Sequence, residues 1–189
     1  MDSMLLRLHQ GRVVDACHSA LIARDDIQGF GARECGRLWY GVANLVVATG
    51  NLSKSFFGSG PERERIYEER APLRESLDVD DSSPLRQVKI RNDFEHLDER
   101  LDKWWRDSPN HNVVDAMVGP DDLVGGDPGV FGDKDFLRWL NPETGKVIFW
   151  GNELHIPSVM QEILRILPIA EREHQKPHWE ALDRASDGE

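Results

Sequence analysis

The sequence predicts a mainly α-helical protein, an antiparallel four-helix bundle with a small α+β appendage at its carboxyl end. Within residues 1–110, four stretches carry apolar residues at helical spacing, and clusters of glycine, proline or short polar residues separate them. The connections are short, which favours antiparallel neighbours. After residue 110 the pattern changes to short apolar runs and turns. We therefore predict two domains, a helical bundle over 1–110 and an acidic appendage with a β-hairpin and a final helix over 111–189.

The first two predicted helices span about 3–27 and 34–57. Apolar residues recur near helical spacing in the first, and a Gly-Phe-Gly sequence follows it. The second is apolar almost all round, which is typical of the most buried helix of a bundle. It also carries Asn44 and Asn51, seven residues apart on one face. These two residues are possible supporting members of a functional site, although we favour hydrogen bonding within the bundle.

The third and fourth predicted helices span about 62–77 and 84–107. Gly58-Ser59-Gly60-Pro61 precedes the third, whose many charges are typical of a solvated face with weak ion pairs. Pro84 begins the fourth, and a Ser-Pro-Asn sequence ends it. Apolar residues at alternating spacings of four and three form a core stripe on the fourth helix: Ile90, Phe94, Leu97, Leu101 and Trp104.

The second half contains the signals of a hairpin and a final helix. Residues 112–118 predict a short strand, and residues 119–132 predict a loop rich in glycine, proline and aspartate. The runs 135–140 and 146–150 flank a five-residue turn sequence, which predicts a β-hairpin.

Pro157 begins the predicted final helix, which continues through Val159, Ile163 and Leu167. We expect a disturbance at Pro168, because proline removes a helical hydrogen bond. The chain from residue 175 onward is expected to fray.

The charge is unevenly distributed. The net charge is -11; residues 1–110 carry 16 basic against 19 acidic residues, and residues 111–189 carry 7 against 15. This balance argues against broad electrostatic capture of nucleic acid, which needs a basic surface. Any contact with RNA must therefore come from a local site, and the acidic appendage suits a basic protein partner.

Composition and motifs also indicate the cellular compartment and which cofactors can be expected. Cys17 and Cys35 lack metal-ligand spacing, which favours reduced thiols in a cytoplasmic protein. The amino terminus lacks the features of a secretory signal, and no apolar run approaches the roughly 20 residues that span a membrane. The glycine-rich stretch 125–129 lacks the lysine and hydroxyl residue of a phosphate loop. We predict neither a cofactor nor a metal.

Residues 91–96 of the predicted fourth helix carry the side chains best suited to chemistry. Arg91, Asn92, Glu95 and His96 centre on the side opposite the core stripe, so we expect them to face solvent, the second half of the chain or another subunit. Histidine can transfer protons, and arginine can hold a phosphate or stabilise an anionic transition state. Asn92 can orient either one, and Glu95 is a possible supporting residue. The alternative is a solvated face with an Arg91–Glu95 ion pair.

Three other arginine–histidine pairs have a similar spacing. They begin at Arg12, Arg106 and Arg172. The last two pairs span a proline, so neither lies on a continuous helix. Arg12 is followed by valine rather than by a polar residue. Context therefore favours the pair Arg91 and His96.

An arginine and a histidine four to six residues apart, with a polar residue after the arginine, resembles the signature of the HEPN superfamily (higher eukaryotes and prokaryotes nucleotide-binding). The resemblance covers about the first 110 residues. It implies a mainly antiparallel helical bundle with the motif on a late helix, and many members are metal-independent endoribonucleases in which two subunits line one cleft. By this resemblance, Arg91 and His96 would be the catalytic pair and Asn92 the supporting polar residue.

The function that follows is a homodimeric, metal-independent endoribonuclease. His96 would transfer protons, Arg91 would stabilise charge on the phosphate, and Asn92 would orient them. Two alternatives stay open. One is a non-catalytic interaction or regulatory module, of a defence or toxin–antitoxin type, whose acidic appendage binds a basic protein. The other is a nucleotide-binding bundle in which Arg91 only holds phosphate.

Overall fold

The structure is a computed structural model that describes residues 1–29, 34–87, 90–109, 111–120 and 135–179. The helices are α1 (Ser3–Gly29), α2 (Cys35–Phe57), α3 (Arg63–Glu69), α4 (Ala71–Ser76), a 3₁₀ helix (Pro84–Gln87), α5 (Ile90–Glu95), α6 (Leu97–Asp107) and α7 (Ile156–His174). The strands are β1 (Met117–Val118), β2 (Arg138–Asn141), β3 (Lys146–Phe149) and β4 (Asn152–His155). The mainly helical class with a small carboxyl-terminal sheet is therefore confirmed.

The centre of the core lies where α1 packs against α2 and α7. α1 buries Val13, Cys17 and Ala20 on one stripe, at spacings of four and three. α2 buries residues along its whole length, as its composition predicts. α7 contributes Ile163 and Ile166, both fully buried. One hydrophobic core thus includes residues from both sides of the domain boundary that the sequence predicts near residue 110.

The antiparallel four-helix arrangement predicted for residues 1–110 is not confirmed. The second extensive partner of α1 is α7, which belongs to the second half of the chain. α7 also runs through Pro168 as one helix, so the expected disturbance there is wrong. Its packing against α1 keeps the helical path where the proline removes one hydrogen bond.

The predicted helix over 62–77 is two short helices, α3 and α4. They meet at Arg70, because Pro72 in the first turn of α4 has no N–H and cannot continue the hydrogen-bond ladder. Arg74 holds this corner. Its side chain is buried, donates to the carbonyl oxygens of Phe56 (2.8 Å) and Tyr67 (2.6 Å), and lies over the Tyr67 ring. One cation therefore satisfies carbonyls at the ends of both α2 and α3.

The predicted helix over 84–107 is also divided, into the 3₁₀ helix, α5 and α6. The break between α5 and α6 lies at His96, whose φ of −117° and ψ of 38° are not helical. Tertiary contacts account for it. Asp93 is buried, pairs with Arg100 (2.9 Å) and accepts a hydrogen bond from Asn152 at the start of β4. These contacts hold α5 against the sheet while α6 turns away.

Because the predicted fourth helix is divided, its apolar residues do not form one continuous buried stripe. Ile90 and Trp104 are buried, whereas Leu101 is 37% exposed, because α6 leaves the main core after its first turn. Trp104 is held instead by the second half of the chain, where its indole N–H donates to Asp135 (2.8 Å).

The predicted hairpin is confirmed. β2 and β3 pair antiparallel with Leu140 opposite Val147, and β4 continues the sheet on the other side of β3. β1 adds a short parallel edge to β2, within the stretch predicted to be a strand. Phe149 of β3 stacks on Phe94 of α5 with ring centroids 4.7 Å apart. The sheet therefore supports α5 from one side. Most of the predicted loop 119–132 lies outside the described residues, as does the chain after residue 179.

The described residues contain neither a helix that could cross a membrane nor a cluster of side chains that could hold a metal ion. Across the described ranges, no helix combines the length and the apolar character that crossing a membrane requires. Within the same ranges, no group of three or more histidine, cysteine, aspartate or glutamate side chains is placed to hold a metal ion.

The Arg74→Ala variant tests the corner between α2, α3 and α4. We expect it to lower the free energy of unfolding by roughly 2–4 kcal/mol, because two carbonyl groups lose a charged donor in a buried site. Arg172→Ala is the matched control, since that side chain is 66% exposed and, among the described residues, pairs only with its neighbour Glu173. Denaturant titration measures both. Equal stability of the two variants would contradict the structural role of Arg74.

Cys17 gives a test of the α1–α7 interface. Burial, followed by the nearby charge of Glu171, raises the pKa of the Cys17 thiol to about 12. The thiol therefore stays protonated and inaccessible in the native protein at about pH 8. In a Cys35→Ala variant, we expect disulfide-reagent labelling to be at least about 100-fold slower in native buffer than in denaturing guanidinium. Rapid labelling in native buffer would show that α7 does not cover Cys17.

Candidate site: a basic pocket at Arg91

Arg91 lies in the first turn of α5 and packs against α2. Its side chain is only 12% exposed and lies across Gly50. A Cβ atom at position 50 would overlap Cδ of Arg91 and lie 2.9 Å from its Cγ, so glycine is the residue that admits this contact. The expectation that Arg91 faces away from the first half of the chain is therefore wrong. Arg91 is turned towards α2, whereas Asp93 and Phe94 of the same helix contact the sheet.

The guanidinium of Arg91 is only partly satisfied. Nη2 donates to Glu95 at 2.6 Å, one turn further along α5. Nε and Nη1 are buried and have no hydrogen-bond partner among the described residues. Buried donors without partners cost free energy, and a charged group costs more than a neutral one. An anion beside Arg91 would lower that cost.

A pocket of about 420 Å³ opens beside this arginine. Its charged lining residues are all basic: Lys54, Arg63, Arg86 and Arg91. Polar and small residues form the rest of the lining: Gly50, Ser53, Gly58, Ser59, Gly60 and Asn92. Among the residues that the structure describes, no acidic residue lines it. In a chain with a net charge of -11, this pocket is a local site of positive potential.

The four cations come from four different elements. Lys54 lies in the last turn of α2 and Arg63 begins α3. Arg86 lies on the 3₁₀ helix, where it pairs with Asp81 and stands over the rings of Phe57 and Tyr67 at 5.8 Å and 5.4 Å. These contacts restrict Arg86 and keep its charge near the pocket.

The loop between α2 and α3 forms one wall of the pocket. Gly58 and Gly60 adopt φ angles of 70° and 71°, which side-chain-bearing residues rarely accept. A Cβ at position 58 would also lie 3.0 Å from the carbonyl oxygen of Arg63 and from Cβ of Ile66. The two glycines therefore let the chain turn sharply from Lys54 to Arg63. The sequence indicates only a helix break here.

His96 lies outside the pocket lining. It is 55% exposed at the junction of α5 and α6, and its Nδ1 is 3.4 Å from a carboxylate oxygen of Glu99. The expectation that Arg91 and His96 occupy one continuous helix is wrong, because the helix breaks at His96 itself. Asn92 is exposed, lines the pocket, and accepts the backbone hydrogen bond of His96 at 3.2 Å.

The remaining predicted site residues are divided between two places. Glu95 belongs with Arg91 through their ion pair. Asn44 and Asn51 instead line a separate groove of about 310 Å³ between α1 and α2, together with small and apolar residues. The structure therefore does not bring the two asparagines to Arg91.

Three basic residues of the pocket are not found by sequence reasoning: Lys54, Arg63 and Arg86. The one local signal is that Lys54 and Arg63 flank the glycine-rich break after α2. Arg86 lies more than 20 residues further along the chain. Its convergence with the others depends on how the corner at Arg70 folds the chain back.

The Gly50→Ala variant tests the contact that positions Arg91. We expect a loss of roughly 1–3 kcal/mol in the free energy of unfolding, because the new methyl group must displace Arg91 from a packed interface. Gly36→Ala in the same helix is the matched control, since a Cβ there meets nothing within 4 Å and alanine is the better helix former. Thermal unfolding measures both. If Gly50→Ala were as stable as Gly36→Ala, Arg91 would not lie over Gly50.

No protein-family model matches the chain, and no curated protein or solved structure matches it either. The HEPN resemblance therefore stays a prediction that rests on Arg91, Asn92 and His96. The basic pocket is supported by its own geometry.

Proposed function

We propose that the pocket at Arg91 binds the phosphate group of a nucleotide or an RNA. The observation that carries this proposal is a pocket whose charged lining, among the described residues, is entirely basic and includes the partly satisfied guanidinium of Arg91. A guanidinium presents several N–H donors in one plane, which suits the oxygens of a phosphate. Asn92 and the hydroxyl groups of Ser53 and Ser59 are further donors at the same pocket.

Site geometry also explains why the net charge does not oppose this function. Acidic residues outnumber basic ones in the whole chain, but none of the described acidic residues lines the pocket. Charges that line a cleft act at short range and are less screened than those at the surface. A phosphate that reaches the pocket therefore interacts mainly with the cations of the lining, two of which also have a carboxylate partner outside it.

A second candidate function is the metal-independent cleavage of RNA by a homodimer. It is favoured by the exposure of His96 and by its position one helical turn after Asn92, which lines the pocket. The β-hairpin contacts α5 through Asp93 and Phe94, which leaves Asn92 and His96 open to another subunit. An HEPN-like antiparallel bundle and a composite cleft belong to this candidate.

In that candidate the ribose 2′-hydroxyl attacks the adjacent phosphate, which breaks the bond from phosphorus to the 5′-oxygen of the next nucleotide and leaves a 2′,3′-cyclic phosphate. The proton lost by the 2′-hydroxyl passes through His96 to the departing 5′-oxygen, Arg91 stabilises the charge that develops on the phosphate oxygens, and Asn92 orients the two side chains. In one chain, His96 stands outside the pocket that holds Arg91. The second subunit would therefore supply the histidine that acts on a phosphate bound by the first.

Binding measurements on Arg91→Ala test the first function. The probe is a fluorescein-labelled RNA of mixed sequence, and fluorescence anisotropy gives the dissociation constant. We expect Arg91→Ala to weaken binding about 10- to 100-fold, because charge-assisted hydrogen bonds contribute roughly 1.5–3 kcal/mol. Arg172→Ala is the control and should bind like the wild type. Equal binding by Arg91→Ala would contradict a phosphate site at this pocket.

Cleavage assays on His96→Ala test the second function. The proteins are incubated with mixed RNA in EDTA, and products are resolved on a denaturing gel. We expect His96→Ala to abolish cleavage while its RNA affinity stays within about threefold of the wild type, since His96 is exposed and does not line the pocket. Wild-type protein that binds RNA but cuts none would leave binding as the function. A wild type that neither binds nor cuts would favour the protein-interaction alternative, in which the acidic second half meets a basic partner.

A further inference from the structure

The charge of the pocket exceeds what one internal phosphate needs. Two of its four cations already have carboxylate partners outside the lining, Arg86 with Asp81 and Arg91 with Glu95. Within the described ranges, no carboxylate pairs with Lys54 or Arg63. About two positive charges are therefore left for a ligand. An internal phosphodiester carries one negative charge, whereas a terminal phosphate carries about −1.5 to −2 at pH 7.

The arrangement of the cations favours the same ligand class. They approach one volume from the end of α2, the start of α3, the 3₁₀ helix and the start of α5. A terminal phosphate enters such a pocket through one opening and presents three acceptor oxygens. An internal phosphate presents two free oxygens, and its chain must enter and leave. Donors on several sides of a cavity therefore match a terminal phosphate better than an internal one.

Resting on the proposed phosphate-binding function, we infer that the pocket is selective for a terminal phosphate. The ligand class comprises phosphomonoesters and the ends of polyphosphate chains, such as a nucleotide or the phosphorylated end of an RNA. Lys54 and Arg63 neutralise the second negative charge, and Arg91 adds the positive charge of its guanidinium at the wall of the pocket. The volume of about 420 Å³ is near the lower end of small-molecule pockets and suits a small anionic group.

Matched oligonucleotides test this selectivity on the full-length protein. The probes are one 2′-O-methyl RNA tetranucleotide with a 5′-phosphate and the same tetranucleotide with a 5′-hydroxyl; the 2′-O-methyl groups prevent cleavage. Calorimetry gives both affinities. We expect the 5′-phosphorylated probe to bind at least about 10-fold more tightly, and inorganic pyrophosphate to compete with it. Arg63→Ala should reduce this preference, whereas Arg172→Ala should keep it.

The pH dependence of the preference for the 5′-phosphate is a second measurement that tests the inference. The second ionisation of a phosphomonoester has a pKa near 6, so its charge falls between about pH 7.5 and about pH 5.5, while a phosphodiester keeps its single charge. The preference for the 5′-phosphate should therefore shrink towards the lower pH, with the 5′-hydroxyl probe as the control for changes in the protein.

The outcomes separate this inference from the proposed function. Tight and equal binding of both probes, lost in Arg91→Ala, would overturn the terminal-phosphate selectivity and keep the phosphate site. Failure of both probes and of pyrophosphate to bind would overturn both. The Arg63→Ala variant gives a third outcome, provided that its melting temperature matches that of the wild type. If this variant kept the full preference for the 5′-phosphorylated probe, the second negative charge of the phosphate would be neutralised elsewhere, and the inference would also be overturned.

Discussion

The contact between Arg91 and Gly50 fixes where α5 lies, and the pocket depends on it. Gly50 admits the arginine side chain directly against the backbone of α2. On the other side of α5, Asp93 and Phe94 contact the sheet through Asn152 and Phe149. α5 is therefore held between α2 and the sheet with Arg91 pointing to one side. A side chain larger than hydrogen at position 50 would separate α5 from α2.

Burial of Arg91 has an electrostatic cost that the protein offsets only in part. Glu95 satisfies one nitrogen, and two nitrogens keep unused donors inside the structure. Arg74 shows the contrast, because its donors reach the carbonyl oxygens of Phe56 and Tyr67 and no ligand is needed. The proposed phosphate would supply to Arg91 the acceptors that the fold itself supplies to Arg74.

The sequence predicts those features that depend on local pattern. α1, α2, the β-hairpin and the beginning of α7 follow from periodicity, turn residues and a proline at the first helical turn. The break at His96 follows from contacts of Asp93 with Arg100 and Asn152. The residues next to His96 in the sequence are not of the types that usually end a helix, so the break could not be predicted from them. Arg91 is identified by its chemistry, but Lys54, Arg63 and Arg86 are not, because the pocket forms only when separate segments meet.

The acidic surface and the basic pocket act on different parts of a ligand. At physiological ionic strength, charges at the surface are screened beyond about 8 Å. A small phosphate compound in the pocket, as proposed, would therefore interact mainly with the basic residues of the lining. A long RNA would extend well past that distance and meet a chain whose net charge is -11, so most of its length would be repelled. The same distribution would weaken binding along an RNA and would leave its phosphorylated end, or a free nucleotide, as the part that the proposed site can hold.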